Sequence, residues 1–149
     1  MGHAASDALA AAELLCRERG VHFTEVRRRL LEALWQAGQP LGAYDLMRLL
    51  EAALARKMTP PTVYRTLEFL MDQGLVSRIE SRNAFVPCAH PEHPHACVFF
   101  VCDKCSTSLE VENTGIDHLL AEDVTTLGFQ VDRRVVELQG LCARCLAAA

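Results

Sequence analysis

No apolar run in this chain approaches the ~20 consecutive residues that a membrane-spanning helix requires. The stretch Met1 to Ala12 is Ala-rich but lacks a basic head followed by an apolar segment, so it does not read as a secretory signal. Both absences lead us to expect a soluble, cytoplasmic protein. Basic surplus is missing too: 15 Lys and Arg face 19 Asp and Glu, a formal net charge of −4. There is no internal repeat, and no low-complexity tract beyond the terminal Ala runs. With 149 residues the chain is too short for a large barrel or a multi-domain machine, which leaves one compact domain or two small ones. A hydrophobic content of 50% fills a core and excludes wholesale disorder.

What is present is unevenly spread. Residues 1–85 carry 11 Lys/Arg against 10 Asp/Glu, or +1, whereas residues 86–149 carry 4 against 9, or −5. Of seven Cys, one (Cys16) precedes residue 85 and six follow it. In a reducing compartment such thiols suggest metal or redox chemistry rather than a disulfide scaffold. Two domains follow, 1–85 and 86–149, with a boundary near Phe85–Cys88.

The first region reads as helices followed by a hairpin. Leu9 to Arg19 closes at Gly20. Thr24 is an N-cap before Leu30, Leu31 and Leu34, and Gly38 and Pro40 end that segment. Tyr44 to Arg56 is a third helix with Leu46, Leu49, Leu50 and Ala53 on its apolar face. Thr59-Pro60-Pro61 opens a fourth, with Thr59 capping and Pro tolerated in the first turn. Two β-like runs, Leu75–Ile79 and Ala84–Val86, flank the turn Glu80 to Asn83. This order is that of a winged helix-turn-helix. In the second region, strands at Cys97–Val101 and Ser108–Val111 precede a helical stripe of Ile116, Leu119, Leu120, Val124 and Leu127. A last strand spans Phe129 to Leu138. A β-β-α-β unit of this size calls for a metal staple or a partner chain.

Two Cys-x-x-Cys knuckles, Cys102/Cys105 and Cys142/Cys145, carry the strongest chemistry. Four thiolates suit one tetrahedral Zn²⁺ and leave no open coordination position, so this metal is structural rather than catalytic. A second dense set runs from Cys88 through His90, Glu92, His93 and His95 to Cys97, with Glu110 nearby in sequence. His93 and His95 alternate, so an extended segment points both rings one way. A mixed S/N/O set favours Zn²⁺ over Fe²⁺ or Mn²⁺. Cys97 is a strand residue first and a spare ligand second. Cys16 reads as a small buried hydrophobe, and His3, His22 and His118 as ordinary histidines. On the fourth helix Val63, Leu67 and Leu70 share one side while Arg65 lies nearly opposite, where a guanine-reading Arg belongs. His90-Pro-Glu92 before Cys102-x-x-Cys105 echoes a zinc deaminase signature, but Val101 stands where that signature has Pro and the second Cys pair would be idle. We therefore expect no enzyme and no catalytic residues.

Thr62-Val-Tyr-Arg-Thr-Leu67, Gly74-Leu-Val76, Glu80-Ser81, Cys88 with the His cluster, and both knuckles together resemble the ferric uptake regulator family, most of all its zinc uptake regulator branch. The resemblance runs from about Val21 to Leu146. It implies an α+β chain: an N-terminal winged helix that binds DNA and a C-terminal α/β dimerisation domain with structural zinc. It further implies a cytoplasmic homodimeric repressor of zinc uptake genes, acting on palindromic, AT-rich operator DNA. Two zinc ions per chain are implied, one structural and one regulatory near the domain hinge. Tyr44, Thr62, Tyr64 and Arg65 correspond to DNA-contacting positions, and Cys88, His95 and Glu110 to sensory ligands. Ser77 stands where the branch usually has a fourth ligand, so His93 or His90 substitutes or water does. Arg133 and Arg134 occupy the region of a further His, so no third metal is expected. An Asp–Arg pair joins neighbouring dimers in this branch; here Arg48 and Glu51 hold those places with the signs exchanged. Sensing of Fe²⁺, Mn²⁺ or peroxide is the alternative within the family, and a redox-switched thiol regulator is another.

Charge alone does not make such a switch. Zn²⁺ bound to neutral His, Glu110 and a newly deprotonated Cys88 changes the chain by +2 − 1 = +1, a small term at distances beyond a screening length of ~8 Å. The expected switch is geometric: a labile ion sets the tilt between domains, and the two recognition helices must stand ~34–36 Å apart to fit one DNA turn.

Overall fold

The structure, a computed structural model, describes residues 2–92, 97–131 and 134–148. These form two units, Met1–His93 and Pro94–Ala149. In the first, α1 (Gly2–Glu18) begins well before the expected Leu9, because the Ala-rich start is itself good helix-forming sequence. Ala12 and Cys16 on α1 are fully buried, so Cys16 is the small core residue expected. Thr24 caps α2 (Glu25–Ala37), its Oγ1 accepting the Arg27 N–H at 3.4 Å, and Gly38 at φ +63 closes the helix.

The next two helices depart from expectation in detail. In α3 (Ala43–Leu54), Ala43, Leu46 and Leu50 form the buried seam, whereas Leu49 is 45% exposed and Ala53 is exposed as well. The seam is one narrow i, i+3, i+7 row about 60° wide; Leu49 lies about 60° beyond its Leu46 edge and Ala53 about 20° beyond that edge, two turns further along the helix. In α4 (Pro60–Asp72), Thr59 takes the N-cap position but makes no side-chain cap bond; its hydroxyl instead lies 2.9 Å from that of Thr62. Val63, Leu67 and Leu70 are buried as expected and join Leu30, Leu34, Leu46, Leu50 and Phe85 in one core.

Strands β1 (Val76–Ile79) and β2 (Ala84–Pro87) pair antiparallel, with Ser77 opposite Val86, across a 3-10 turn at Glu80–Arg82. Asn83 at φ +47 completes that turn. Leu41 and Phe85 exchange backbone hydrogen bonds at 3.1 and 2.8 Å, fastening the hairpin to the segment before α3. The Cys88 N–H donates to Leu75 O at 2.9 Å, which holds Cys88 within this unit. Helices followed by a two-stranded wing make it a winged helix-turn-helix.

The second unit is a three-stranded sheet in the order β4-β3-β5, with β3 Cys97–Cys102, β4 Ser108–Val111 and β5 Val135–Gly140. β3 pairs antiparallel with β4 and parallel with β5, and α5 (Thr114–Leu127) makes the crossover. β5 begins later than the expected Phe129. Gly128 at φ +64 ends α5, and the Phe129 N–H still donates back to Val124 O, so Phe129 belongs to the helix cap. A short α6 (Ala143–Ala147), not expected from the sequence, carries the second knuckle. Phe99, Val98 and Val101 are buried, but Leu109, Leu119, Leu127, Phe129 and Leu138 lie open to solvent in the single chain.

Candidate metal centre and nucleic-acid interface

The metal centre is built by register. β5 runs parallel to β3 with Gly140 opposite Cys102, so the chain leaving β5 arrives beside the first knuckle. The Asp103 N–H donates to Gly140 O at 2.8 Å, and the Cys102 N–H to Thr107 O at 2.9 Å. Ser106 at φ +60 turns the first knuckle, and Cys142 is the N-cap of α6. The ligand atoms of Cys102, Cys105, Cys142 and Cys145 thereby lie within 4.8 Å of one another, and the four thiols are not disulfide-bonded.

The cage is polarised toward the thiolate form on one side. The Thr107 hydroxyl, 3.1 Å from the Cys105 sulfur, is the main cause that pulls the Cys105 thiol down to about 5. Backbone N–H groups of Cys105 and Cys142 lower Cys102; the latter is 3.4 Å from its sulfur. Cys145 is pushed up to about 12, first by its hydrogen bond with Cys142 and then by burial. Arg144, between the two ligands of the second knuckle, is held more firmly protonated by its hydrogen bond to Cys105 and by the surrounding sulfurs. Four thiolates around a divalent cation carry a net −2, which Arg144 partly offsets. These donors fit Zn²⁺, which accepts four sulfurs without geometric preference of its own. Thr107 and Arg144 were not singled out in the sequence, although Arg144 stands inside the Cys-x-x-Cys.

The second ligand set divides between the units. In the first, Cys88 is buried at the end of β2, and His90 Nδ1 lies 3.7 Å from the Glu92 carboxylate, both side chains about half exposed. In the second, Glu110 is an exposed residue of β4 opposite Phe99. His93, His95 and Arg133 lie outside the described residues. Arg134 donates to the Asp117 carboxylate at 3.3 Å.

On the other unit, α4 is seated by its buried row and turns Tyr64 and Arg65 outward, with Thr62 half-buried beside them. Tyr44 is 64% exposed at the start of α3. Among the described residues, Arg17, Arg56, Lys57 and Arg65 have no acidic partner within ion-pair distance, whereas Arg28 is paired with Glu13, Arg29 with Glu32 and Arg48 with Asp45. The far end of α4 is pinned. The Arg27 guanidinium lies 3.5 Å from the centroid of the Phe69 ring, and Arg19 donates to Gln73 O at 2.7 Å. An outward Arg on a helix so braced, in a unit with further cations that lack an acidic partner among the described residues, is suited to a polyanion with readable base edges.

Residues 18–139 match the ferric uptake regulator family. The chain is similar to the zinc uptake regulation protein of Escherichia coli strain K12, with 37% identity over 139 residues, 93% of this chain and 81% of that protein. In three dimensions it is similar to a zinc uptake regulator complexed with zinc and DNA, at a TM-score of 0.88 and 35% identity over 97% of this chain and 96% of that one. It is also similar to holo XcZur, at a TM-score of 0.82 and 41% identity over 95% and 97%.

Proposed function

We infer that this chain, which belongs to the ferric uptake regulator family, is a zinc-responsive DNA-binding regulator rather than an enzyme. The observation that carries the reading is the exposed Arg65, which makes no ion pair among the described residues, on a helix seated from behind by Val63, Leu67 and Leu70. It stands on a chain that resembles zinc uptake regulators over nearly its whole length, including one holding both zinc and DNA. Arg65 and Tyr44 read bases, while Thr62 and Tyr64 flank them. Output is repression of zinc uptake genes in the cytoplasm, on a palindromic, AT-rich operator.

Two zinc ions per chain divide the work. The one in the Cys102/Cys105/Cys142/Cys145 cage ties the end of β3 to α6 and is permanent. The regulatory one takes its ligands from Cys88, His90, His93, His95 and Glu110, and the thiolate of Cys88 selects zinc over Fe²⁺ or Mn²⁺. It shifts the protein toward the DNA-binding form only by binding that form more tightly, and inverting a 1:99 population takes roughly 5.5 kcal/mol of such preference.

The assembly is a homodimer. The open apolar residues Leu109, Leu119, Leu127, Phe129 and Leu138 of the second unit support it, since a soluble monomer rarely leaves so many uncovered. Two dimers on one operator would meet through Arg48 and Glu51. Arg48 is 74% exposed and bonded to Asp45 at 2.7 Å, so it must exchange that partner to do so.

The deciding experiment is fluorescence anisotropy of a palindromic AT-rich duplex against the full chain across a buffered free-zinc series, with Fe²⁺ and Mn²⁺ series in parallel. Zinc-selective, saturable binding is expected. Equal binding in all three metals, or none in any, overturns the reading.

A further inference from the structure

Beside the outward face of α4 lies a cleft of about 210 Å³, lined by Thr24, Val26 and Arg27 from the start of α2 and by Thr62, Arg65 and Thr66 of α4. Among the described residues no carboxylate lines it. Positions 62, 65, 66 and 69 fall on one stripe of α4, and that stripe faces α2. At its lower end Phe69 carries the Arg27 guanidinium, which also donates to His22 O. Five N–H groups on a guanidinium leave Arg27 with donors to spare. Thr24 spends a lone pair of its Oγ1 on the Arg27 N–H, so its own O–H is left to donate. Thr66 donates to Thr62 O at 2.7 Å and is a wall rather than a ligand. The described lining therefore offers several donors and carries two positive charges, Arg27 and Arg65, with no counter-charge among the described residues that line it.

We propose that this cleft seats one backbone phosphodiester of the DNA duplex, held by Arg27 and the Thr24 and Thr62 hydroxyls. Arg65 borders the seat, so a phosphate docked there fixes the height at which its guanidinium meets the base edges. Arg27 is in this sense a positioning residue: stacked on Phe69, it ties the phosphate to the same helix that reads sequence. Phosphate contacts set register and base contacts set specificity, and the cleft supplies the first next to the second. The inference rests on the DNA-binding reading above and adds a contact to it.

The test uses the full zinc-loaded chain and a duplex that the wild-type protein selects from random sequence. Val26 lines the cleft in the first turn of α2, where a carboxylate is compatible with the helix, so Val26→Glu places a negative charge in the seat. Val26→Gln removes the same packing without charge. Val26→Gln, which loses the same packing against the core, is the baseline for the comparison. Val26→Glu should bind about tenfold or more weakly than Val26→Gln, as expected for loss of a hydrogen-bonded charge contact. Its slope of log affinity against log salt should be shallower by ~0.9 for each half-site phosphate released. A scan of methylphosphonates placed symmetrically in both half-sites of the duplex should find one position that weakens the wild type and erases the difference between the two variants.

Equal binding by Val26→Glu and Val26→Gln, or no position that erases their difference, overturns the seat while leaving DNA binding intact. Saturable binding of inorganic phosphate to the cleft at physiological concentration, without DNA, also overturns it, because the site would then serve a free anion. If the wild type selects no duplex at all in zinc, the functional reading itself fails and takes the seat with it.

Discussion

The sulfurs of Cys105 and Cys142 lie 3.7 Å apart, although the two residues are 37 positions apart along the chain. A tetrahedron with metal–sulfur bonds of ~2.3 Å has edges of about 3.8 Å, so the spacing is that of two corners of a zinc-thiolate site and well beyond a disulfide bond. The match arises from β-strand register rather than from either knuckle alone.

Replacing one corner should therefore release more than a ligand. In Cys102→Ser the cage loses its bond to the end of β3, and α6 loses its anchor to the sheet. We expect the purified variant to lose one zinc per chain by elemental analysis and to give lower thermal stability and a monomeric or aggregated profile by light scattering. Retention of zinc and of assembly would contradict a structural role.

Metal-free thiols should differ in reactivity across the cage. At pH 7 Cys105, drawn down to about 5, is a thiolate, whereas Cys145, pushed up to about 12, keeps its proton. Alkylation after chelation, followed by mass spectrometry, should label Cys105 well before Cys145. The same shifts contribute to the metal-free protein's response to pH. Cys105 releases its proton earlier when folded, so its contribution is fully present above about 9 and lost as pH falls toward 5. Cys145 holds its proton longer when folded, so its contribution is present below about 9 and lost as pH rises toward 12. Denaturation midpoints measured across pH should rise and then fall.

Arg65→Ala should cost ~1–3 kcal/mol of DNA affinity, as for loss of a base-directed guanidinium. Arg65 is exposed and makes no ion pair among the described residues, so the melting temperature should stay within about a degree or two of the parent's. Anisotropy and calorimetry on one preparation separate the two effects. A matched fall in both would mean that Arg65 supports the fold.

Leu67→Ala should do the reverse. Leu67 is fully buried among Leu30, Leu46 and Leu70, and truncation there leaves a cavity costing ~2–5 kcal/mol. Denaturant titration should show the lower midpoint, with zinc content of the four-cysteine site unchanged.

Cys88→Ser and Glu110→Gln test the regulatory set. Each should abolish the zinc dependence of DNA binding while the protein keeps one tightly held zinc per chain and its oligomeric state. Intact zinc-dependent binding in both variants would remove these residues from the sensory site.

The helical period of Leu30, Leu31 and Leu34 and of Val63, Leu67 and Leu70, the Thr24 cap and the spacing of the two knuckles were legible in the linear chain. Each is a local rule, in which side-chain volume, a hydroxyl or a thiolate acts within a few residues. That reading already contained the winged helix, the β-β-α-β order and the four-thiolate zinc. Position along the chain did not show that Leu49 and Ala53 stay exposed or that Phe129 caps α5 instead of starting β5. Nor did it show that Thr107 and Arg144 tune the cage, or that Arg27 stacks on Phe69. These depend on which surfaces meet: a partner 42 residues away, a parallel register that sets Gly140 against Cys102, or a narrow seam between helices. Such contacts are chosen by three-dimensional packing, where one face of a helix competes with another for the same buried volume, and periodicity along a single strand of residues carries no record of who wins.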